Sequence, residues 1–449
     1  MENFRKINHK NMSKILLGLG SLVIGFSFIS CSKQNNEIES DETKKSEDTS
    51  KVYDLNGAFD VSDYLMVQGS KVVNLDGEQV QLHGINAGGY LVTERWMCAA
   101  TMSHGTTDHY RMTETLVNRF GKEKTLDLWE YYRENFWTEQ DFQNIKDMGM
   151  NVIRLPFSYM SFDPAYNNVR AKSGQEFNFD VVDDFVEKAA AHGLYIILDM
   201  HGAYGSQNGQ DHSGFVYSTA EEVDFFSNEE NQKKTIHLWE EIAKHYKDVN
   251  SIAAYDLLNE PGEKAGSTTT RHFEFFDKVY KAIRKIDEDR PLIFESCWDG
   301  QNLPSPKEYG WEGAIYSFHN YSGNYTVDGN FTSYVNKLKG VDAQKFNVPL
   351  YMGEFNCYGM EEGWNLVLSL LNSNGWHWTS WTYKLNIINE GQYAGWGVYF
   401  SHAERAVVDV DSLEEIKDKR FKIDTAHEDT TLMTFESKRT LKQIMMRHA

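Results

Sequence analysis

An α/β fold, a closed (β/α)8 TIM barrel with an N-terminal hairpin closing the barrel floor, is the fold class this sequence predicts. Three observations predict it. Short strand-like runs, apolar on both faces, recur along the chain and alternate with amphipathic helical segments, the pattern of a parallel sheet covered by helices. Eight such runs fit into about 300 residues, which favours closure over an open sheet. No Gly-rich dinucleotide or phosphate loop follows an early strand, which weighs against the doubly wound alternative.

The chain has 449 residues, 41% of them hydrophobic and 25% charged, enough to build a large core. Residues 1–31 read as a signal peptide: Lys10 and Lys14 flank the start of an apolar stretch over 15–30, too short for a comfortable membrane span. The stretch ends at Ser30-Cys31 and resembles a bacterial lipoprotein signal, in which the cysteine becomes the acylated N-terminus. That resemblance implies lipidation at Cys31 and an exported chain, anchored at the outer membrane, cell surface or periplasm, with simple secretion as the alternative. Residues 32–56 are polar and charged and are expected to form a flexible tether, leaving 57–449 as the catalytic barrel domain. Cys98, Cys297 and Cys357 are too scattered for a disulfide framework or a metal cluster and are expected to be reduced and buried.

Within the domain, two runs at 64–67 and 71–75 joined by Gly69-Ser70 predict the floor hairpin. The barrel strands are expected at 80–86, 151–155, 195–200, 252–257, 292–295, 314–318, 350–353 and 377–381. Thr138 and Asp141 form a capping-box-like helix start, and Phe142, Ile145 and Met148 share a face that ends at Gly149. Asp180 starts another helix, stopped at Gly193; further periodic segments lie at 231–247, 270–286, 331–339 and 363–373. Residues 87–137 are expected to decorate the active face, 412–432 to form a charged surface loop, and a last helix to lie near 434–447.

In such a barrel, polar residues at the C-terminal strand ends converge on one face. Glu260 follows the run 252–258 and Glu354 follows the run 350–353. Two carboxylates so placed are the minimum set for cleaving a glycosidic bond with retention, at a spacing of roughly 5–5.5 Å. Arg154, ending the second strand, would lower the pKa of a nucleophilic Glu354. Glu260 would then be the acid/base, kept protonated by the negative charge of Glu354. Asn259 would bond the sugar 2-hydroxyl, Tyr321 would donate to the nucleophile, His201 and His319 would position hydroxyls or Glu260, and Trp381 would stack under the sugar. A lone Arg, His or Trp at such a place is often structural, as a salt bridge or a packed core group; the case rests on the set. No cofactor is expected. Neither a metal-ligand histidine cluster nor a Gly-x-Ser-x-Gly elbow is present, which argues against a metal mechanism and a serine hydrolase. A net charge of −21 argues against nucleic acid or an anionic membrane surface as a partner. The expected partners are a polysaccharide or oligosaccharide substrate and, through a lipid anchor alone, a membrane; a monomer is expected.

The motifs Asn259-Glu260-Pro261, Gly353-Glu354-Phe355, Arg154-Leu155-Pro156, Asp199-Met200-His201, His319-Asn320-Tyr321 and Trp381 together resemble those of glycoside hydrolase family 5. The loop from His201 to Gly214 and the segment Gly88-Gly89-Tyr90-Leu91-Val92-Thr93-Glu94 are similar to those of its exo-β-1,3-glucanases. That resemblance implies sugar-binding roles for Glu94 and Asp211. It implies a retaining glycosidase of β-glucan catabolism, β-1,3-linked in first place, with β-1,6 or mixed linkages beside it and β-1,4-glucan or mannan as the runner-up. A transglycosylase uses the same residues, and a non-catalytic, glycan-binding surface lipoprotein is the alternative of another class. Exo versus endo action is left open.

Overall fold

The computed structural model describes residues 63–219, 222–262, 271–296, 300–386, 395–401, 404–420 and 430–449. The expected signal peptide with Cys31, the tether, and Cys297 lie outside the described residues.

Eight strands close into a barrel, and each lies where its apolar run predicts. They are β1 (His83–Asn86), β2 (Val152–Ser158), β3 (Tyr195–Gly202), β4 (Ile252–Asp256), β5 (Leu292–Glu295), β6 (Ala314–Asn320), β7 (Leu350–Phe355) and β8 (His377–Ser380). Neighbours pair in parallel and in sequence order, and β8 returns to β1. Most strand residues are fully buried, because side chains on one face fill the barrel and those on the other meet the helices.

Helices follow from local chemistry. α1 (His109–Phe120) begins at Asp108, whose carboxylate accepts the Arg111 N–H at 2.7 Å. α2 (Lys122–Phe136) follows, and α3 (Glu139–Asp147) starts at the expected Thr138 box, where Asp141 accepts the Thr138 N–H at 2.7 Å. α4 (Asp180–Ala191), α5 (Glu229–Tyr246), α6 (Arg271–Ile283), α7 (Asn330–Val341) and α8 (Glu361–Ser373) cover the outside of the barrel, their buried faces carrying residues such as Phe185, Trp239, Phe276 and Trp364.

The hairpin Met66–Gln68/Lys71–Val73 forms with the expected antiparallel pairing. Leu65 and Val72 pack with Val152, Ile197, Ala254, Ile293, Ile315 and Tyr351, residues near the strand starts, so the hairpin closes the floor and leaves the opposite end for chemistry.

Three expectations need correction. The 87–137 connection carries α1 and α2, whose Leu116, Leu128, Trp129, Tyr132 and Phe136 join the main core, so much of it is core rather than decoration. The charged stretch 412–432 holds α9 (Leu413–Arg420) and the strand Thr430–Leu432. Ser412 and Glu415 cap α9 reciprocally, Ile416 is buried beneath it, and the strand pairs with Tyr399–Ser401; high charge hid one apolar anchor and one cap. The last helix, α10, is only Leu441–Met445, because its cap is Thr440, boxed with Gln443. Cys98 and Cys357 are free and buried, as expected.

Candidate active site

Strand register brings the polar residues of the C-terminal ends together. Asn86 pairs with Arg154, Asp199 with Asp256, and Glu354 with His319. An irregularity between Met352 and Glu354 falls at Gly353. A Cβ there would lie 2.8 Å from Ser317 Oγ and 3.0 Å from His319 Nε2, so glycine is what allows His319 to lie against this strand.

Arg154 is fully buried at the centre. Its guanidinium donates to Glu354 Oε1 at 2.7 Å, Asp256 Oδ2 at 2.9 Å, Asn259 Oδ1 at 2.8 Å and Asn86 Oδ1 at 3.1 Å, and Asp199 Oδ1 lies 3.2 Å away. One cation cannot satisfy three carboxylates equally. Burial, against the opposing charge of Arg154, pushes Asp199 and Asp256 each up to about 7. Burial also acts to raise Glu354, but the charges of His319 and Arg154 overcome it and hold this carboxyl below its usual range. Tyr321 donates to the other Glu354 oxygen, Oε2, at 2.8 Å. Arg154 and Tyr321 thus stand where the sequence reading put them.

Glu260 faces Glu354 across His319. An oxygen of each carboxylate and a nitrogen of His319 all lie within 4.8 Å of one another. His319 Nδ1 lies 2.9 Å from Glu260 Oε1, 3.4 Å from Glu295 Oε1 and 3.5 Å from Glu354 Oε2. Burial would lower the His319 pKa, but Glu295, Glu354 and Glu260 together raise it to about 10. The expectation that Glu260 is kept protonated by Glu354 does not hold in the free site. Burial does raise Glu260, but the His319 hydrogen bond and the His212, His319 and His201 rings outweigh it and hold the carboxyl down, to about 2. The dominant neighbour is a cationic imidazole rather than the second carboxylate.

The flanking groups complete the mouth. His201 Nδ1 lies 2.6 Å from Asp199 Oδ2, burial lowers the pKa of the ring, and it stacks on Trp381 at 5.4 Å with an interplanar angle of 4°. The Trp381–Thr382 peptide is cis. Asn259 uses its oxygen on Arg154, while its buried Nδ2 has no partner among the described residues and is a ready donor for a ligand hydroxyl. Glu94, Asp211 and His212 offer ligand atoms within 4.8 Å of one another; Trp96 Nε1 donates to Glu94 at 2.7 Å. Burial, with Asp211 nearby, pushes the Glu94 carboxyl well up. Every residue named as a candidate for this site therefore belongs to one connected set of side chains at the strand ends.

Several contributors escaped the sequence reading, His212 and Trp96 among them. Asn86 and Asp256 are ligands of Arg154, and Glu295 contacts both Glu260 and His319. Trp396 extends the aromatic wall, 5.4 Å from the Tyr321 ring and 5.0 Å from Trp96. Glu295 carried a readable signal: like Glu260 and Glu354, it ends an apolar strand run.

An eight-stranded barrel with paired glutamates at its C-terminal mouth carries the two groups that cleavage of a glycosidic bond requires. The family model for cellulase (glycosyl hydrolase family 5) matches residues 111–386, more than half of the chain, which therefore belongs to that family. Among curated relatives, the chain is 34% identical over 266 residues to a beta-xylosidase of Phanerodontia chrysosporium, covering 58% of this chain and 52% of that protein. It is 29% identical over 262 residues to a probable glucan 1,3-beta-glucosidase A of Aspergillus terreus, covering 57% and 56%. The matched region spans about half the length of these relatives. Among solved structures, AoRut superposes with a TM-score of 0.53 at 17% identity, covering 75% of this chain and 95% of that one, a likeness of fold.

The raised pKa of His319 has a consequence for stability. Protonation of a group whose pKa rises from 6.5 to about 10 on folding stabilises the fold fully below pH 6.5 and ceases to do so as the pH passes 10. His319→Gln is therefore expected to lower stability most below pH 6.5, with a loss that shrinks toward pH 10, measured by urea unfolding across that range.

Proposed function

We propose that this chain is a retaining β-glycoside hydrolase of β-glucan, β-1,3-linked in first place, with Glu354 as nucleophile and Glu260 as acid/base. The observation that carries this reading is the approach of the two carboxylates to within 4.8 Å through His319, with Arg154 and Tyr321 both on Glu354. That spacing suits direct attack by a carboxylate and leaves no room for the intervening water of an inverting enzyme, which needs roughly 6.5–9.5 Å.

In the first step a Glu354 oxygen bonds to the anomeric carbon as the glycosidic C–O bond breaks. The electron pair leaves on the glycosidic oxygen, which takes a proton from Glu260. In the second step water attacks the same carbon, passes a proton to Glu260 and frees Glu354. The proton is supplied by the Glu260–His319 pair, which shares it across 2.9 Å. A saccharide covering the mouth excludes water, disfavours the separated charges and moves the proton toward Glu260, leaving a neutral imidazole. Glu94, Asp211, Asn259 and His201 hold hydroxyls, and Trp381 with Trp96 and Trp396 offers flat apolar faces to sugar rings.

Support for a β-1,3-glucan comes from the relatives named as glucan 1,3-beta-glucosidases. The relative named as a beta-xylosidase makes β-xylosides the second reading. We further propose that Cys31 anchors the exported chain to a membrane through lipid. The segment before Cys31 is apolar with basic residues at its start, and the polar stretch after it could serve as a spacer. Labelled palmitate should enter the wild type and not Cys31→Ser; equal labelling of both, or of neither, would refute the anchor.

Glu354→Ala and Glu260→Ala are each expected to lower turnover of laminarin by about 100-fold or more. Azide should rescue Glu354→Ala with an inverted, α-glycosyl azide product. Rescue of Glu260→Ala with that stereochemistry would reverse the assignment. Sugar release across β-1,3-, β-1,4- and β-1,6-glucans, mannan and xylan, read beside a binding gel, should be greatest on laminarin; binding without release would favour a capture protein.

A further inference from the structure

Glu295 ends β5 and is 2% exposed. Its Oε2 accepts the main-chain N–H of Glu260 at 3.1 Å, and its Oε1 faces His319 Nδ1 at 3.4 Å, the same nitrogen that lies 2.9 Å from Glu260 Oε1. Glu295 therefore touches Glu260 twice, once at the backbone and once through the ring that holds the carboxyl. The backbone contact falls where it matters. Glu260 has a φ of +39°, in the left-handed region that a residue with a side chain occupies only when its surroundings enforce it. The main-chain bond to Glu295 is one such constraint, because it fixes the peptide plane from which the main chain at 260 turns and its side chain departs.

The charge count around His319 points the same way. Glu260, Glu295 and Glu354 all lie within 3.5 Å of one ring nitrogen, which can carry a single hydrogen. Burial, opposed by His319 and reinforced by Glu260 and Asp256, pushes the Glu295 carboxyl well up. Whatever its protonation state, this carboxyl can accept the Glu260 N–H at Oε2 while Oε1 faces the ring.

We propose that Glu295 is a positioning residue for Glu260: it clamps the left-handed main chain at 260 and keeps His319 on the Glu260 carboxyl, so that Glu260 is aligned to deliver its proton. This rests on the reading of Glu260 as the acid/base. Glu295 touches no substrate in this role and acts only through its two neighbours.

The test is the dependence of rate on leaving group. A 2,4-dinitrophenolate departs without protonation, whereas a phenolate needs the acid. kcat/KM is measured on phenyl and 2,4-dinitrophenyl β-D-glucosides, and on the matching β-D-xylosides, for the wild type, Glu295→Leu, Glu295→Gln and the control Glu260→Ala. Glu295→Leu removes the acceptor and is expected to lose about 10-fold or more on the phenyl glycoside and less than about threefold on the dinitrophenyl one. Glu295→Gln keeps a carbonyl for the Glu260 N–H and is expected to stay within about threefold of wild type on both. Where Glu295→Leu does not accumulate as folded protein, Glu295→Asp, which retracts the acceptor by one methylene, should show the same selective loss. Equal losses on both leaving groups, or no loss, in whichever of these two variants folds would overturn the proposal. Should Glu260→Ala itself fail to discriminate between leaving groups, the acid/base reading falls; discrimination by Glu260→Ala but not by the Glu295 variants sinks the positioning role alone.

Discussion

The buried guanidinium of Arg154 is the constraint on which the rest of this site depends. It comes from β2 and binds side chains that follow or end four other strands: Asn86 of β1, Asp256 of β4, Asn259 just beyond β4, Glu354 of β7, and Asp199 of β3 as an ion pair. A cation with no exposure to water is costly unless its donors are all met, and here the barrel register meets them. Removing it would strand three carboxylates in the barrel mouth, a change that costs about 3–5 kcal/mol in comparable buried pairs. The arrangement fixes Glu354 by one oxygen and leaves its other oxygen to Tyr321 and the ligand side of the site.

His319 organises the opposite half. Its Nδ1 stands between Glu260, Glu295 and Glu354, and the glycine at 353 lets the ring lie against β7. Both glutamates at the centre feel this ring, but their environments differ: Glu354 answers also to a permanently charged arginine, while Glu260 hydrogen-bonds an imidazole that can give up its proton. Such a division is what acid/base and nucleophile need, since only one of them must change protonation during the reaction.

Much of this was legible in the sequence. All eight barrel strands announced themselves as apolar runs, because parallel strands are buried on both faces and tolerate polar residues only at their ends. Those ends gave Arg154, Asn259, Glu260, His319, Tyr321 and Glu354 directly. What failed to show was pairwise chemistry. Glu260 was expected to be held protonated by a carboxylate, but the closest partner is His319, brought from β6 by register that no local pattern reveals. Glu295 and Asp256 sat in plain view at strand ends, yet without a motif around them they read as ordinary acids. The stretch after residue 412 misled through its charge, since one buried isoleucine and a cap suffice to hold a short helix on a large core.

The proposed mechanism requires Glu354 to be the side chain that bonds to the sugar. Incubation with 2,4-dinitrophenyl 2-deoxy-2-fluoro-β-D-glucoside, followed by peptide mapping by mass spectrometry, tests this most directly, because the fluorine slows breakdown of a covalent intermediate. The expected result is one fluoroglucosyl group on the peptide containing Glu354, removed on reactivation with an acceptor sugar. A label on Glu260, or full turnover of the unfluorinated glycoside with no label on any peptide, would contradict it.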